Sequence, residues 1–259
     1  MPIVRLASCH HEELRRYRDY DPFAWLYSNH WGSDFHLQVI PALDRILLSA
    51  LPRKARIVDL CCGDGRVLQK LLKRGFHIIG IDGSEQMLSF ARQRCPKATL
   101  LLEDARRFSL PAEYDAVIST FDSLNHIMDP RDLDLVFHNV HACLKPGGAF
   151  VFDLNREEAY REYWARSMSA VAPKVVSISN GSYDGLDKIA HCDITLFRLD
   201  RGTWQRSDFR LSQRFHPRRS VQAALARAGF STEIRDAVKD LGMLGEVGEG
   251  RDFYLARKS

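Results

Sequence analysis

The feature that most constrains this chain is the run Ile57-Val58-Asp59-Leu60-Cys61-Cys62-Gly63-Asp64-Gly65-Arg66, where an apolar strand ends in an acid and then a glycine-rich turn that opens a helix. Gly63 and Gly65 can take backbone angles that a Cβ forbids and let a ligand lie against the main chain. The helix beginning near Arg66 aims free N–H groups at the same point, so the run reads as a nucleoside-cofactor site. The third glycine of a G-x-G-x-x-G dinucleotide loop is absent, because counting from Gly63 that place holds Leu68. A diphosphate disfavours nearby carboxylates, whereas a ligand with a cationic centre and an amino-acid end uses them.

Composition sets the bounds. With 259 residues, 45% hydrophobic and 27% charged, the chain can bury a core without cross-links, as one α/β domain with an elaboration. A net charge of +4 makes no demand for nucleic acid, and sets such as Arg15, Arg16 and Arg18, or Arg218 and Arg219, read as solvated faces. The six cysteines, Cys9, Cys61, Cys62, Cys95, Cys143 and Cys192, have no metal-ligand spacing, and the adjacent Cys61 and Cys62 suit a structural bridge poorly. No signal pattern is visible, nor an apolar run of about 18 residues. Together with reduced thiols, this leads us to expect a cytoplasmic protein, a monomer or homodimer, with no metal and no membrane partner.

Three regions are expected. Residues 1–51 form an N-terminal helical cap: a polar start, an aromatic cluster from Tyr20 to Tyr27 with Trp31, and a helix carrying Phe35, Val39, Leu43, Ile46, Leu47 and Leu51, kinked at Pro41. Residues 52–155 and 218–259 alternate short β-rich runs with amphipathic helices, which specifies an α/β fold, a doubly wound, mostly parallel sheet with ligands at the strands' carboxyl edge. Ser84 is placed to cap one helix, Asp129 followed by Pro130 to start another, and Pro146-Gly147-Gly148 to turn into a strand. Residues 156–217 break the rhythm. A helix at Glu157–Ser167 and strands at Val175–Ser179, Ala190–Leu199 and Gln205–Phe215, joined by turns at Gly181–Gly185 and Asp200–Gly202, predict an inserted antiparallel β lid, a substrate subdomain over the ligand edge.

Acids close successive core strands. Asp59 can polarise the turn's amides and hold an ammonium group, or be only a turn-capping acid. Asp82, followed by Gly83, is placed to accept both ribose hydroxyls. Asp104 is placed to accept from an adenine amino group, with the Ala105 N–H offered to the ring, or is simply a surface acid, while Glu103 reads as solvent-facing. Met87 and Phe108 either wall the adenine or belong to the core. S-adenosylmethionine, with its sulfonium and α-ammonium groups, is a ligand that suits this set.

Taken in order, the Asp59–Gly65 loop, Asp82, Asp104 and Leu144-Lys145-Pro146-Gly147-Gly148 resemble the Rossmann-like S-adenosylmethionine-dependent methyltransferases over about residues 20 to 258. The resemblance implies a seven-stranded sheet whose last strand is antiparallel, and a loop in which Cys61 stands where many members carry glycine. The Tyr20–Tyr27 stretch, the Phe121–His126 run and the insertion after Asn155 resemble, more finely, small-molecule methyltransferases that include sugar N,N-dimethyltransferases. That likeness places Tyr20 and Tyr27 near the methionine end, Thr120 and Phe121 beside the cofactor, and Asn125 and His126 on the substrate side.

The expected reaction is in-line transfer of a methyl group to a nitrogen or oxygen of a small molecule, yielding S-adenosylhomocysteine. Alignment of the acceptor dominates. His126 or Asp122 would serve as base for a hydroxyl, with His216 a lesser candidate, and His126 reads equally as a core or helix-start histidine. An RNA-modifying enzyme is an alternative, although Ser119-Thr120-Phe121-Asp122 lacks the Asn/Asp-Pro-Pro-aromatic element of flipped-base chemistry. A non-catalytic cofactor-binding protein is another.

Overall fold

The computed structural model describes residues 17–31 and 35–259, so Cys9, Arg15, Arg16 and most of the polar start lie outside the described residues. A helical turn α1 (Ala24–Leu26) and helix α2 (Phe35–Ile46), with Pro41 inside it, precede the sheet. The chain then alternates β1 (Arg56–Leu60), α3 (Arg66–Lys73), β2 (His77–Asp82), α4 (Glu85–Arg94), β3 (Thr99–Leu102), β4 (Tyr114–Ser119), α5 (Asp132–Cys143) and β5 (Leu144–Asn155). After α6 (Glu157–Ala159) come β6 (Ser167–Ala172), β7 (Val175–Asp184), β8 (Ile189–Asp200) and β9 (Thr203–Arg214), and then α7 (Arg218–Arg227), β10 (Phe230–Asp236) and β11 (Arg251–Lys258).

Seven strands form one sheet in the order β10-β11-β5-β4-β1-β2-β3, and β11 runs antiparallel to both its neighbours, β5 and β10. The alternation of side chains along each strand builds two cores. Val58, Leu60, Val117, Phe150 and Phe152 face α5 and α7, while Ile57, Ala116, Ile118 and Val151 face α2 and α3. Ser84 caps α4, its Oγ accepting the Met87 N–H at 3.1 Å. Asp129 does not cap α5, which starts at Asp132; its Oδ1 instead accepts the Arg131 N–H at 2.9 Å and holds the turn before the helix.

A second, antiparallel sheet has the order β6-β7-β8-β9. Its buried face, with Val175, Ile194, Leu196 and Leu211, packs on Phe23 and Leu26. The aromatic N-terminal stretch thus lies against this sheet, whereas α2 packs against the larger one.

Local differences from the sequence reading have local causes. The helix expected over Glu157–Ser167 gives way after Ala159 to a π-turn at Tyr160–Trp164, and Ser167 opens β6, a strand not expected. The expected turn at Gly181–Gly185 is strand up to Asp184. A Cβ at Gly181 would overlap the Trp164 carbonyl oxygen, so that glycine serves a close backbone approach. The reversal falls just after, where Asp184 Oδ1 accepts the Leu186 N–H at 2.8 Å. Pro146-Gly147-Gly148 forms a bulge inside β5, with the pairing slipping between Tyr114 and Ala116.

Candidate active site

The carboxyl ends of β1, β2 and β4 and the N-termini of α3 and α4 meet at one edge of the large sheet. After β1 the backbone enters the left-handed region at Cys61 (φ 61°), Gly63 (φ 54°) and Gly65 (φ 78°). A left-handed Cys61 accounts physically for glycine being common at that place. Gly65 is required by packing: a Cβ there would lie 3.2 Å from the Ala91 Cα, so it lets α3 and α4 approach. Asp64, buried beside the loop, pairs with Arg66 at 2.5 Å and Arg94 at 3.0 Å and ties the turn to both helices.

Asp82 holds the loop from the next strand, its Oδ2 accepting the Gly63 N–H and its Oδ1 the Ser84 N–H, each at 2.8 Å. Withdrawal from solvent raises its pKa to about 6 against the lowering effect of those two bonds. Asp59 is 2% exposed and its Oδ2 has no hydrogen-bond partner. Burial, and then the nearby charge of Asp82, raise its pKa to about 8. Asp104 accepts from the Arg106 guanidinium at 2.8 Å and from the Tyr17 N–H at 2.8 Å. Burial acts to raise its pKa, but these bonds outweigh it and hold the carboxyl below its ordinary range.

These groups line one cavity of about 1000 Å³, including its open mouth. Around it stand the expected Tyr20, Tyr27, Asp59, Cys61, Gly63, Asp82, Gly83, Met87, Asp104, Ala105, Thr120, Phe121 and His126. Gly65 and Phe108 do not line it; Phe108 is in the core. Tyr17, Phe35, His36, Arg66 and Ser123 also border the cavity, and sequence reasoning did not single them out for this. Tyr17 sits three residues before Tyr20, next to the aromatic run, the one signal that could have found it.

A second cavity, about 1130 Å³, opens between the two sheets. Tyr20, Tyr27 and Phe121 line both cavities and form the partition between them. Phe23, Trp31, Tyr163, Trp164, Met168 and Leu211 give the second cavity an aromatic and apolar wall, and Asp122, Asn155, Arg166, Glu246 and Arg251 supply its polar groups.

His126 borders the first cavity only. Its Nδ1 is 2.8 Å from the Ser212 carbonyl oxygen, which can only accept, so Nδ1 carries the proton and Nε2 accepts from Tyr20 Oη at 2.9 Å. Burial lowers the ring's pKa, with the nearby Asp122 opposing. Asp122 borders only the second cavity, in a left-handed conformation (φ 48°), paired with Arg251 at 2.8 Å. Asn125 lines neither cavity: fully buried, it donates to the Arg214 carbonyl and accepts from the Asn155 N–H, each at 2.9 Å, and so joins β9 to the end of β5. His216 is also outside both cavities, its pKa lowered by burial to about 4. Among the described residues the cysteines are free, no trio of His, Cys, Asp or Glu is placed to hold a metal ion, and no helix is long and apolar enough to cross a membrane.

Residues 57–148, from β1 into β5, match the methyltransferase domain family. YqeM of Bacillus subtilis, whose name assigns it provisionally to the methyltransferases, is 32% identical over 187 residues, covering 70% of this chain and 76% of YqeM. The chain belongs to the Rossmann-like S-adenosylmethionine-dependent methyltransferases. The methyltransferase is also 27% identical over 205 residues to a dTDP-3-amino-3,4,6-trideoxy-alpha-D-glucopyranose N,N-dimethyltransferase of Streptomyces venezuelae, covering 78% of this chain and 86% of that one. Its fold is shared with an S-adenosylmethionine-dependent methyltransferase from Clostridium acetobutylicum, at a TM-score of 0.75 and 20% identity over 93% of this chain and 99% of that one. The first cavity fits this methyltransferase's cofactor chemically, because Asp59, Asp82 and Asp104 line it together and Asp59 Oδ2 is a buried acceptor without a partner.

Proposed function

We propose that the enzyme methylates the nitrogen of a small amine, with nucleotide-linked amino sugars as the leading class. The observation that carries this reading is the shared partition: Tyr20, Tyr27 and Phe121 border a donor cavity rich in carboxylates and an acceptor cavity rich in aromatic rings. The kinship with a sugar N,N-dimethyltransferase supports the class. Asp122 stands at the acceptor cavity beside Arg251, and the aromatic faces lining the same cavity favour the positive charge that an amine acquires on methylation.

Asp59 is the residue suited to an α-ammonium group, Asp82 to a ribose diol, and Asp104 with Ala105 to an adenine edge. Cys61, Gly63 and Gly83 keep the main chain open to the ligand, and Met87, Thr120 and Phe121 complete its walls. S-adenosylmethionine, when bound, supplies a methyl group on a sulfonium that is already an activated leaving group. The four-stranded sheet and the aromatic stretch would act as the lid of residues 156–217 and the cap of residues 1–51, excluding water and aligning the acceptor against the methyl group where the two cavities meet. His126, held neutral, is not required for an amine that arrives unprotonated.

The test is a thermal-shift measurement with S-adenosylhomocysteine, followed by a labelled-methyl screen over amino sugars, simple amines, hydroxylated sugars and phenols. Stabilisation by S-adenosylhomocysteine and label transfer to an amino sugar are expected. Transfer confined to hydroxyl acceptors would overturn the amine reading while leaving the donor site intact.

A further inference from the structure

The partition between the cavities is built on an unfavourable backbone. Phe121 (φ 64°) and Asp122 (φ 48°) are consecutive non-glycine residues in the left-handed region, where a Cβ crowds the main chain. Such a pair persists only where its surroundings over-determine it, and here two residues from later strands do so. Asp153, fully buried in β5, accepts the Phe121 N–H at 2.7 Å with Oδ1 and the Asp122 N–H at 2.9 Å with Oδ2. Arg251, the first residue of β11, pairs with Asp153 Oδ2 and, at 2.8 Å, with Asp122 Oδ1, while its Nε donates to the Val247 carbonyl at 2.9 Å. Its guanidinium carbon lies 5.3 Å from the Phe35 ring centroid and 5.6 Å from that of Phe121, and those two rings stack at 4.1 Å.

We propose that Arg251 and Asp153 are positioning residues for methyl transfer, fixing the Phe121–Asp122 pair as the wall that aligns donor and acceptor. Asp153 supplies acceptors for the two adjacent amides of the left-handed turn, one carboxylate oxygen to each. Arg251 supplies the charge that lets two buried carboxylates stand together, and its planar fork, packed against the Phe35 and Phe121 rings, sets where the Phe121 ring lies. Lysine offers neither the fork nor the stacking plane.

The inference rests on the two-cavity reading of the site, so its experiment carries one arm that needs no acceptor. Arg251→Lys, Arg251→Met and Asp153→Asn are each compared with wild type for S-adenosylhomocysteine affinity by calorimetry, for crystal structures with S-adenosylhomocysteine bound, and for kcat and KM on the acceptor returned by the amine screen. The expected result is a Phe121–Asp122 pair that leaves the left-handed region in Arg251→Met, affinity for S-adenosylhomocysteine lowered by no more than about tenfold because Phe121 is one of several walls of the donor cavity, and kcat lowered about 30-fold or more there. Arg251→Lys should fall between, with the larger effect on kcat, and it keeps the test decisive if Arg251→Met does not fold. A variant crystal structure with both residues still left-handed, or an undiminished kcat in Arg251→Lys and Asp153→Asn, overturns the proposal. Absence of any acceptor in wild type would instead remove the amine reading and leave the crystallographic arm to decide this one.

Discussion

Asp82 and Gly63 stand 19 positions apart and meet at 2.8 Å, the carboxylate at the end of one strand accepting the amide of the glycine turn after another. The bond makes the donor cavity a single unit: anything that disturbs the acid also releases the loop. Asp82→Ala therefore removes a cavity-lining carboxylate and two backbone anchors together. Each charge-assisted bond contributes about 1.5–3 kcal/mol, so S-adenosylhomocysteine affinity is expected to fall by about 100-fold or more. Calorimetry showing wild-type affinity would remove Asp82 from the site. Because the Asp82 pKa is raised to about 6, affinity should also decline as the pH falls through that value.

Asp59 gives a prediction in the opposite pH direction. Its carboxyl ordinarily ionises near 3.8, but in the fold it stays neutral to about 8. Between those values the unfolded chain holds fewer protons at this position than the folded one, so Asp59 makes the free enzyme less stable as the pH rises across the window. Thermal melts from about pH 5 to about pH 8 should show Asp59→Asn losing less stability than wild type over that span. An ammonium group delivered to Asp59 would favour its ionised form, so S-adenosylhomocysteine binding near neutral pH should release up to about one proton. Calorimetry in two buffers of different ionisation enthalpy reads this directly, and equal apparent enthalpies would contradict the assignment.

Gly83 tests how the Tyr17–Asp21 stretch, a strap across the β2 end, closes the donor cavity. A Cβ at this position would overlap the Tyr17 carbonyl oxygen, while Tyr17 donates its N–H to Asp104 and Asp21 accepts from Ser84 Oγ at 2.6 Å. Gly83→Ala should lift the strap and leave the sheet intact. S-adenosylhomocysteine should then dissociate about tenfold faster, with the melting temperature of the free enzyme close to that of wild type. Stopped-flow displacement measures the rate, and an unchanged rate would separate the strap from cofactor retention.

The part of this architecture legible in the sequence was the part set by local pattern. The β1 run, the Ser84 cap and the strand-ending acids each announce themselves within a few residues, which is why a mostly parallel sheet with acids at one edge was foreseeable. What escaped depends on distant chain. Arg251 is 98 residues from Asp153, and its place under the partition follows from the register of β11 against β5, in which Arg251 faces Asn155. The family likeness puts Asn125 on the substrate side, and the sequence cannot correct it because a buried amide and an exposed one look alike; here its partners are the main chains of Arg214 and Asn155. Gly181 read as a turn residue for a similar reason, since a glycine that admits the Trp164 carbonyl and one that reverses a chain carry the same letter.

His126 offers the sharpest division between nitrogen and oxygen acceptors. The ring is neutral, its Nδ1 proton committed to the Ser212 carbonyl and its Nε2 lone pair to the Tyr20 hydroxyl, and burial holds its pKa below the ordinary imidazole value. An amine reaches the site unprotonated through its own equilibrium with water, so its attack asks nothing of this imidazole until the product sheds a proton. A hydroxyl must lose its proton as the new bond forms, and a positioned base is then worth about 100- to 10,000-fold. His126→Asn keeps a polar side chain of smaller size. With an amine acceptor it should lower kcat/KM by no more than about tenfold, leaving a pH profile that follows the acceptor's own ionisation. A far larger loss, accompanied by disappearance of the acid limb of the profile, would make His126 the base and point the enzyme toward oxygen.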